Sequence, residues 1–172
     1  MITGERVRLR PVEDADHPDI QRWANQEETW WWEDLERPLS LDDVRDREAR
    51  ARLEGHPFII EVDGRSVGRI GLSDVRRRDR IASLSVLAGE PDAWDARFGV
   101  EAIRVLLDHA FGRLDLHMVE LSCIEANARA LAASEAAGFR RDAVLRERSW
   151  KDGRWHDRIV MSITREEFEA SS

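Results

Sequence analysis

The chain has 172 residues, 42% of them hydrophobic and 36% charged, which is enough for one buried core and too apolar for a disordered chain. No apolar run approaches the roughly 18 residues that would span a bilayer, and a net charge of −8 opposes nonspecific nucleic-acid binding, so a cationic small molecule or a peptide terminus is the easier partner. Cys123 is the only cysteine, and the histidines at 17, 56, 109, 117 and 156 lack the short spacings of a zinc site, which excludes an internal disulfide and predicts no metal.

Met1 to Arg6 leads straight into a strand pattern without the basic and apolar segments of a secretory signal, so a cytoplasmic protein with a single domain over residues 1–172 is expected. Arg6-Val7-Arg8-Leu9-Arg10 alternates polar and apolar until Pro11, which predicts a first strand with one buried face. Asp14 or Asp16 can cap a short helix carrying Ile20, Trp23 and Ala24 on one side. The segment after it, Glu27 to Asp34, is unusual for its three consecutive tryptophans. Ser40 and Asp43 have capping-box spacing and open a charge-covered, exposed helix that Gly55 ends.

Phe58 to Val62 and Ser66 to Leu72 flank Asp63-Gly64, a strong hairpin signal, and Ala82 to Leu87 follows the charged turn Arg76 to Arg80 as a fourth strand. Val100, Ile103, Leu106, Leu107, Ala110, Phe111 and Leu114 recur at helical spacing and form the clearest amphipathic helix. Met118 to Ile124 reads as a strand, Ala128 to Ala137 as a small-residue helix, and Gly138-Phe139 as its left-handed stop. A last hairpin turns at Asp152-Gly153, between Val144 to Trp150 and Trp155 to Ile163. Strand, helix, strand, helix in this order implies a parallel crossover, and the class is α/β with a mixed sheet of about seven strands.

Ser85 to Val100 delivers a strand end, a short loop and a strong helix N-terminus, whose unpaired N–H groups and partial positive charge suit a pyrophosphate. The order downstream sharpens this: a strand, Asn127, then a helix closing on Glu135-Ala136-Ala137-Gly138-Phe139. Here the chain resembles the GCN5-related N-acetyltransferase (GNAT) superfamily, in particular its ribosomal-protein N-terminal acetyltransferase (RimJ/RimL-type) and spermidine acetyltransferase branch. The similarity covers nearly the whole chain. The branch's loop of the form Trp-Gly-Lys-Gly-Tyr-Gly/Ala-Thr-Glu-Ala is matched by residues 94–102, its later Asn and Gly-Phe by Asn127 and Gly138-Phe139, and its closing turn by residues 152–157. The resemblance implies a mostly antiparallel sheet with a central parallel pair, about four flanking helices, and acetyl-CoA as cosubstrate.

By the same resemblance, Leu87, Ala88 and Gly89 offer backbone groups to the pantetheine arm from a splayed strand, and Trp94, Asp95, Ala96, Arg97, Phe98, Gly99 and Val100 hold the pyrophosphate. Asn127 binds the arm from the next strand, with Ala130 and Ser134 lining the helix beside it. Asp95 and Arg97 stand where the branch has glycine, and Ser134 stands where many relatives carry the tyrosine that protonates the leaving thiolate, so Ser134 could at most donate a hydrogen bond or hold a water. As general base, Glu33, Glu125, Glu147 and Asp157 are candidates, and Glu147 ranks first because the branch often has Glu there.

Trp30, Trp31, Trp32 and Glu33 fall where GNAT proteins build the acceptor site, and aromatic faces beside carboxylates favour a cation. The alternatives for the tryptophans are lid packing and a homodimer interface. The leading reading is an N-acetyltransferase that moves acetyl from acetyl-CoA to a primary amine, such as a peptide N-terminus, polyamine or aminoglycoside-like acceptor, by direct attack. Its competitors are a GNAT-fold binding or regulatory protein with weakened transfer and an assembly subunit.

Overall fold

Alternation and turn chemistry build the sheet, seen in a computed structural model that describes residues 1–33, 35–91 and 96–171. The strands are β1 (Ile2–Thr3), β2 (Val7–Pro11), β3 (His56–Val62), β4 (Arg65–Arg76), β5 (Ile81–Ala88), β6 (Met118–Ile124), β7 (Arg140–Lys151) and β8 (Arg154–Thr164). They form one sheet in the order β1-β2-β3-β4-β5-β6-β8-β7, antiparallel except for the parallel pair β5–β6. Asp63 and Gly64 (φ 51° and 78°) and Asp152 and Gly153 (φ 49° and 74°) adopt the left-handed backbone that two-residue hairpin turns require. Among the described residues the sheet has eight strands rather than about seven because Ile2–Thr3 folds back on β2, in a run too short to show a period.

Among the described residues six α-helices flank the sheet, two more than expected: α1 (His17–Ala24), α2 (Glu27–Trp32), α3 (Leu41–Glu54), α4 (Ala96–Gly112), α5 (Ala128–Ala137) and α6 (Arg165–Ala170). Alternate β-strand residues pack on opposite sides. Val7, Leu9, Ile60 and Val62 join Ile103, Leu106 and Leu107 of α4 in the main core, whereas Ile59 joins Ile20, Trp23 and Val44 in a second core under α1 and α3. At the start of β2, Glu101 of α4 accepts hydrogen bonds from the backbone N–H groups of Arg6 (2.8 Å) and Val7 (3.0 Å).

The capping box of α3 forms as expected, with Ser40 Oγ accepting from the Asp43 N–H at 3.1 Å. Gly55 follows the helix in extended backbone (φ −162°), not as a left-handed cap; a Cβ there would lie 2.0 Å from the Leu72 carbonyl oxygen, so close approach to β4 demands the glycine. α3 is also less exposed than its charges suggest, because Glu48 is buried and takes Arg69 of β4 at 2.7 and 3.1 Å. Asp16 stands at the N-cap of α1 without capping it: its carboxylate accepts from Arg10 at 2.6 and 2.7 Å and from the Glu13 N–H at 2.8 Å. Burial opposes the Asp16 charge, but Arg10 and the Glu13 amide outweigh it and hold the carboxyl below its ordinary value.

Candidate active site

β5 and β6 pair only at Ile81–Met118, Ala82–Val119 and Ser83–Glu120, after which the two strands part. β5 continues to Ala88 on its β4 side and β6 to Ile124 on its β8 side, so Leu84 to Ala88 has no ladder partner toward β6 among the described residues. The gap holds a cavity of about 370 Å³. Its walls are the parted strands, Phe98 and Gly99 of α4, Asn127 and the first turns of α5, and Glu28, Thr29, Trp32 and Glu33 from α2 and its end.

Several expected residues meet here. Leu87, Ala88, Phe98, Gly99, Asn127, Ala130, Ser134, Trp32 and Glu33 all line the cavity. Asn127 caps α5, its Oδ1 accepting from the Ala130 N–H at 3.1 Å, which leaves its amide nitrogen without a partner among the described residues. Ser134 is buried and its hydroxyl donates to the Ala130 carbonyl at 2.8 Å, so that proton is already committed within the helix. A Cβ on Gly99 would meet nothing within 4 Å, so space is open beside the α4 backbone.

Other expected residues lie apart from the cavity. Trp94 and Asp95 fall outside the described residues, and Ala96 is described only as the first residue of α4. Arg97 and Val100 line a separate, open groove beside Ile2 to Glu5, so the Arg97 side chain does not line the cavity wall formed by Phe98 and Gly99. Gly89 is buried at the end of β5, and a Cβ on it would lie 2.4 Å from the Trp23 indole. Glu147 is exposed at a bulge of the β7–β8 hairpin with φ 53°; its N–H donates to Asp157 Oδ1 at 2.9 Å, and neither it nor Glu125 lines the cavity.

The tryptophans are helical rather than in a loop, and they diverge. Trp32 lines the cavity, with an indole N–H that is buried and unpartnered among the described residues. Trp31 points its N–H at Asp152 Oδ2 (2.7 Å) on the hairpin tip and packs edge-on against His156 at 5.5 Å, while Trp30 is half-buried and outside the lining. Lys151 donates to the Glu33 carbonyl at 3.1 Å, and Arg129 of α5 meets Glu28 at 3.3 Å, so α2 is tethered on both sides.

Pattern reading missed the cavity-lining Glu28, Cys123, Arg129 and Arg158. Burial pushes the Cys123 thiol up, opposed by Arg158 and Arg141, so it stays protonated and unreactive at neutral pH. Arg158 lies two residues beyond the buried His156 on β8, and Arg129 is in the first turn after the Asn127 cap; both sit one or two residues from motif positions, which is the only signal they carried.

A mixed sheet opened at its central parallel pair, with a cavity in the gap and a long helix beginning at its rim, defines the acyl-CoA-dependent acyltransferase class. The family model for the acetyltransferase (GNAT) domain matches residues 6–140, and the chain belongs to that family, an acetyltransferase whose cosubstrate is acetyl-CoA. It is similar to the probable N-acetyltransferase YjcK of Bacillus subtilis (strain 168), 33% identical over 63 residues that cover 37% of this chain and 35% of the relative. Over nearly full length it is 26% identical to the SPbeta prophage-derived uncharacterized N-acetyltransferase YokL of the same strain, covering 97% of this chain and 94% of the relative. Among solved structures, Mycobacterium smegmatis RimJ in complex with CoA-disulfide superposes with a TM-score of 0.82 at 26% identity, over 94% of this chain and 83% of that one. Spermidine N-acetyltransferase from Vibrio cholerae, in complex with CoA and spermine, shares the fold at a TM-score of 0.88 and 22% identity, over 96% and 99% of the chains. No described helix is long and apolar enough to cross a membrane.

Proposed function

We propose that this protein is an N-acetyltransferase of the RimJ/RimL-type branch that acetylates a cationic primary amine, a peptide N-terminus or a polyamine-like or aminoglycoside-like molecule, in a ternary complex. The observation that carries the reading is that Trp32 and Glu33 of the predicted acceptor segment line the same cavity as the unpaired edge of β5. Acetyl-CoA, when bound, supplies an activated acyl thioester. The chain's part is to hold and orient: Val86 to Ala88 pair with β4 on one side and, among the described residues, have no ladder partner on the side facing β6, and Asn127 offers its amide nitrogen. Small side chains at Ala130 and Ala133 keep that wall open, and the start of α4 supplies N–H groups and partial positive charge for a pyrophosphate.

On the acceptor side, the Trp32 ring and the carboxylates of Glu28 and Glu33 suit an ammonium group. The amine must lose a proton before attack, and Glu33, at the cavity wall, is better placed to take it directly or through water than Glu147 at the hairpin bulge. With its hydroxyl proton given to Ala130, Ser134 serves the site as an acceptor of hydrogen bonds rather than as an acid. Release of free thiol from acetyl-CoA, measured against polyamines, aminoglycosides and short peptides with free N-termini, tests the reading. Turnover with at least one cationic amine, and none after N-terminal blocking of the active peptide, is expected. Turnover only with neutral or acidic acceptors would overturn it.

A further inference from the structure

Trp31 does not line the cavity that the next two residues, Trp32 and Glu33, help to wall. Its ring stands edge-on between two others: Trp32 at 4.5 Å and 78°, and His156 of β8 at 5.5 Å and 85°. Both are favourable edge-to-face geometries. His156 pairs with Ser149 across the β7–β8 hairpin and is 2% exposed, so the sheet sets its position. Neither of its ring nitrogens has a hydrogen-bond partner among the described residues, and Nδ1 stops 3.7 Å from Glu125 Oε1. An imidazole buried without hydrogen bonds gains nothing from its polarity, so what His156 offers its neighbours is the shape of a ring.

We infer that His156 is a positioning residue for acceptor binding: its ring props Trp31, and Trp31 in turn sets the place of Trp32 in the cavity wall. This rests on the proposed role of Trp32 and Glu33 in holding the amine. The contacts run without a break from β8 through His156, Trp31 and Trp32 to the cavity. The other tie of Trp31, its N–H to Asp152 Oδ2 at 2.7 Å, is exposed at the hairpin tip, where water competes for both groups. The wall opposite does not depend on His156. Glu125, two residues before the Asn127 cap, is held by its own N–H to the Asp157 carbonyl at 3.0 Å and by Arg154 at 3.8 Å. Removing the prop therefore displaces the acceptor wall alone, and a displacement of a fraction of an ångström is enough to weaken binding of the group that wall holds.

The test is a double-mutant cycle on the amine KM, run with acetyl-CoA and the best acceptor among polyamines, aminoglycosides and short peptides. His156→Ala and Trp31→Ala should each raise the amine KM about fivefold and keep the acetyl-CoA KM within about twofold of wild type. The double variant should be no worse than Trp31→Ala alone, because the two residues act in series. His156→Phe, which keeps a ring and gives up nitrogens that have no hydrogen-bond partner among the described residues, should retain the wild-type amine KM. In the protein without substrates, the indole N–H resonance of Trp32 should shift in His156→Ala and stay close to wild type in His156→Phe. If His156→Ala does not fold, His156→Leu replaces it in the cycle. Additive effects in the double variant, equal rises in the KM of both substrates, an unmoved Trp32 resonance, or a His156→Phe variant as impaired as His156→Ala would each overturn the inference. If no amine is acetylated, or if Trp32→Ala leaves the amine KM unchanged, the acceptor reading falls and takes this inference with it; a raised KM in Trp32→Ala with none in His156→Ala overturns this inference alone.

Discussion

The two sides of the cavity are built by different means. The side we assign to the acyl donor rests on buried structure: the parted strands belong to one continuous sheet, α4 is packed on the main core, and the β5 exit is pinned by the fully buried Trp23. The side we assign to the acceptor is a six-residue helix, α2, with Thr29 as its only buried residue, held, apart from the ring contact of Trp31 with His156, by exposed contacts to the hairpin tip and to α5. Such contacts contribute little each and are screened by salt. A wall built on the core facing a lightly held one is an arrangement in which the lightly held wall can change without disturbing the fold.

The sharpest way to break this contrast is at Trp23. Trp23→Ala should cost about 3–5 kcal/mol in denaturant unfolding, because a large buried side chain is removed along with the Glu90 hydrogen bond; a loss below about 1 kcal/mol would show the donor-side anchor to be peripheral. On the acceptor side, Trp32→Ala should raise the amine KM by up to the roughly 2 kcal/mol that a desolvated cation gains on an aromatic face, with acetyl-CoA affinity unchanged. Equal effects on both substrates in steady-state kinetics would erase the division between the sides.

Acid should act on the donor side and its neighbourhood. The Glu90 carboxyl is held below its ordinary 4.5, first by Arg22 and then by Trp23, and Asp16 below its ordinary 3.8. A carboxyl with a depressed value stabilises the fold fully above its unfolded value and loses that contribution as pH falls through its folded one. Thermal melts should therefore be insensitive to these two groups near neutrality and fall below about pH 4, and Glu90→Gln should flatten part of the fall. The smallest effect is expected for Asp152→Gly, which removes one exposed partner of Trp31 while keeping a residue that tolerates the left-handed backbone of the turn (φ 49°): stability should change by less than about 1 kcal/mol and the amine KM by a few-fold, with a smaller difference from wild type at high salt.

The same contrast governs what the sequence discloses. The framework of the side assigned to the donor is legible because it follows from local rules: the Asp63-Gly64 turn, the amphipathic period of α4 and the left-handed Gly138 stop (φ 108°) all lie in continuous stretches, whereas the Asn127 cap of α5 was not read from them. Gly89 was named only, by resemblance, as a source of backbone groups for the pantetheine arm; the need for glycine there was not legible, because its steric cause, Trp23, is far away in the chain. The acceptor wall was half legible. Three adjacent tryptophans announced a special segment, but six residues are too few to show helical period, and contacts such as Trp31 to Asp152 span 121 positions with no local signature. α6 carried a signal that a strand reading through Ile163 passes over, since Thr164 and Glu167 form a capping box. Glu147 was ranked by motif position alone, and a bulge with φ 53° sets its backbone where no periodicity argument would look.

We place the acyl donor in the gap between β5 and β6. A crystal structure of the protein with CoA tests it most directly. The pantetheine arm should lie along Leu84 to Ala88 and reach Asn127, with the pyrophosphate at the start of α4 beside Phe98 and Gly99. CoA bound instead in the open groove lined by Thr3, Arg97 and Arg104, or a gap closed by pairing of Leu84 to Ala88 with Leu121 to Ile124, would contradict it.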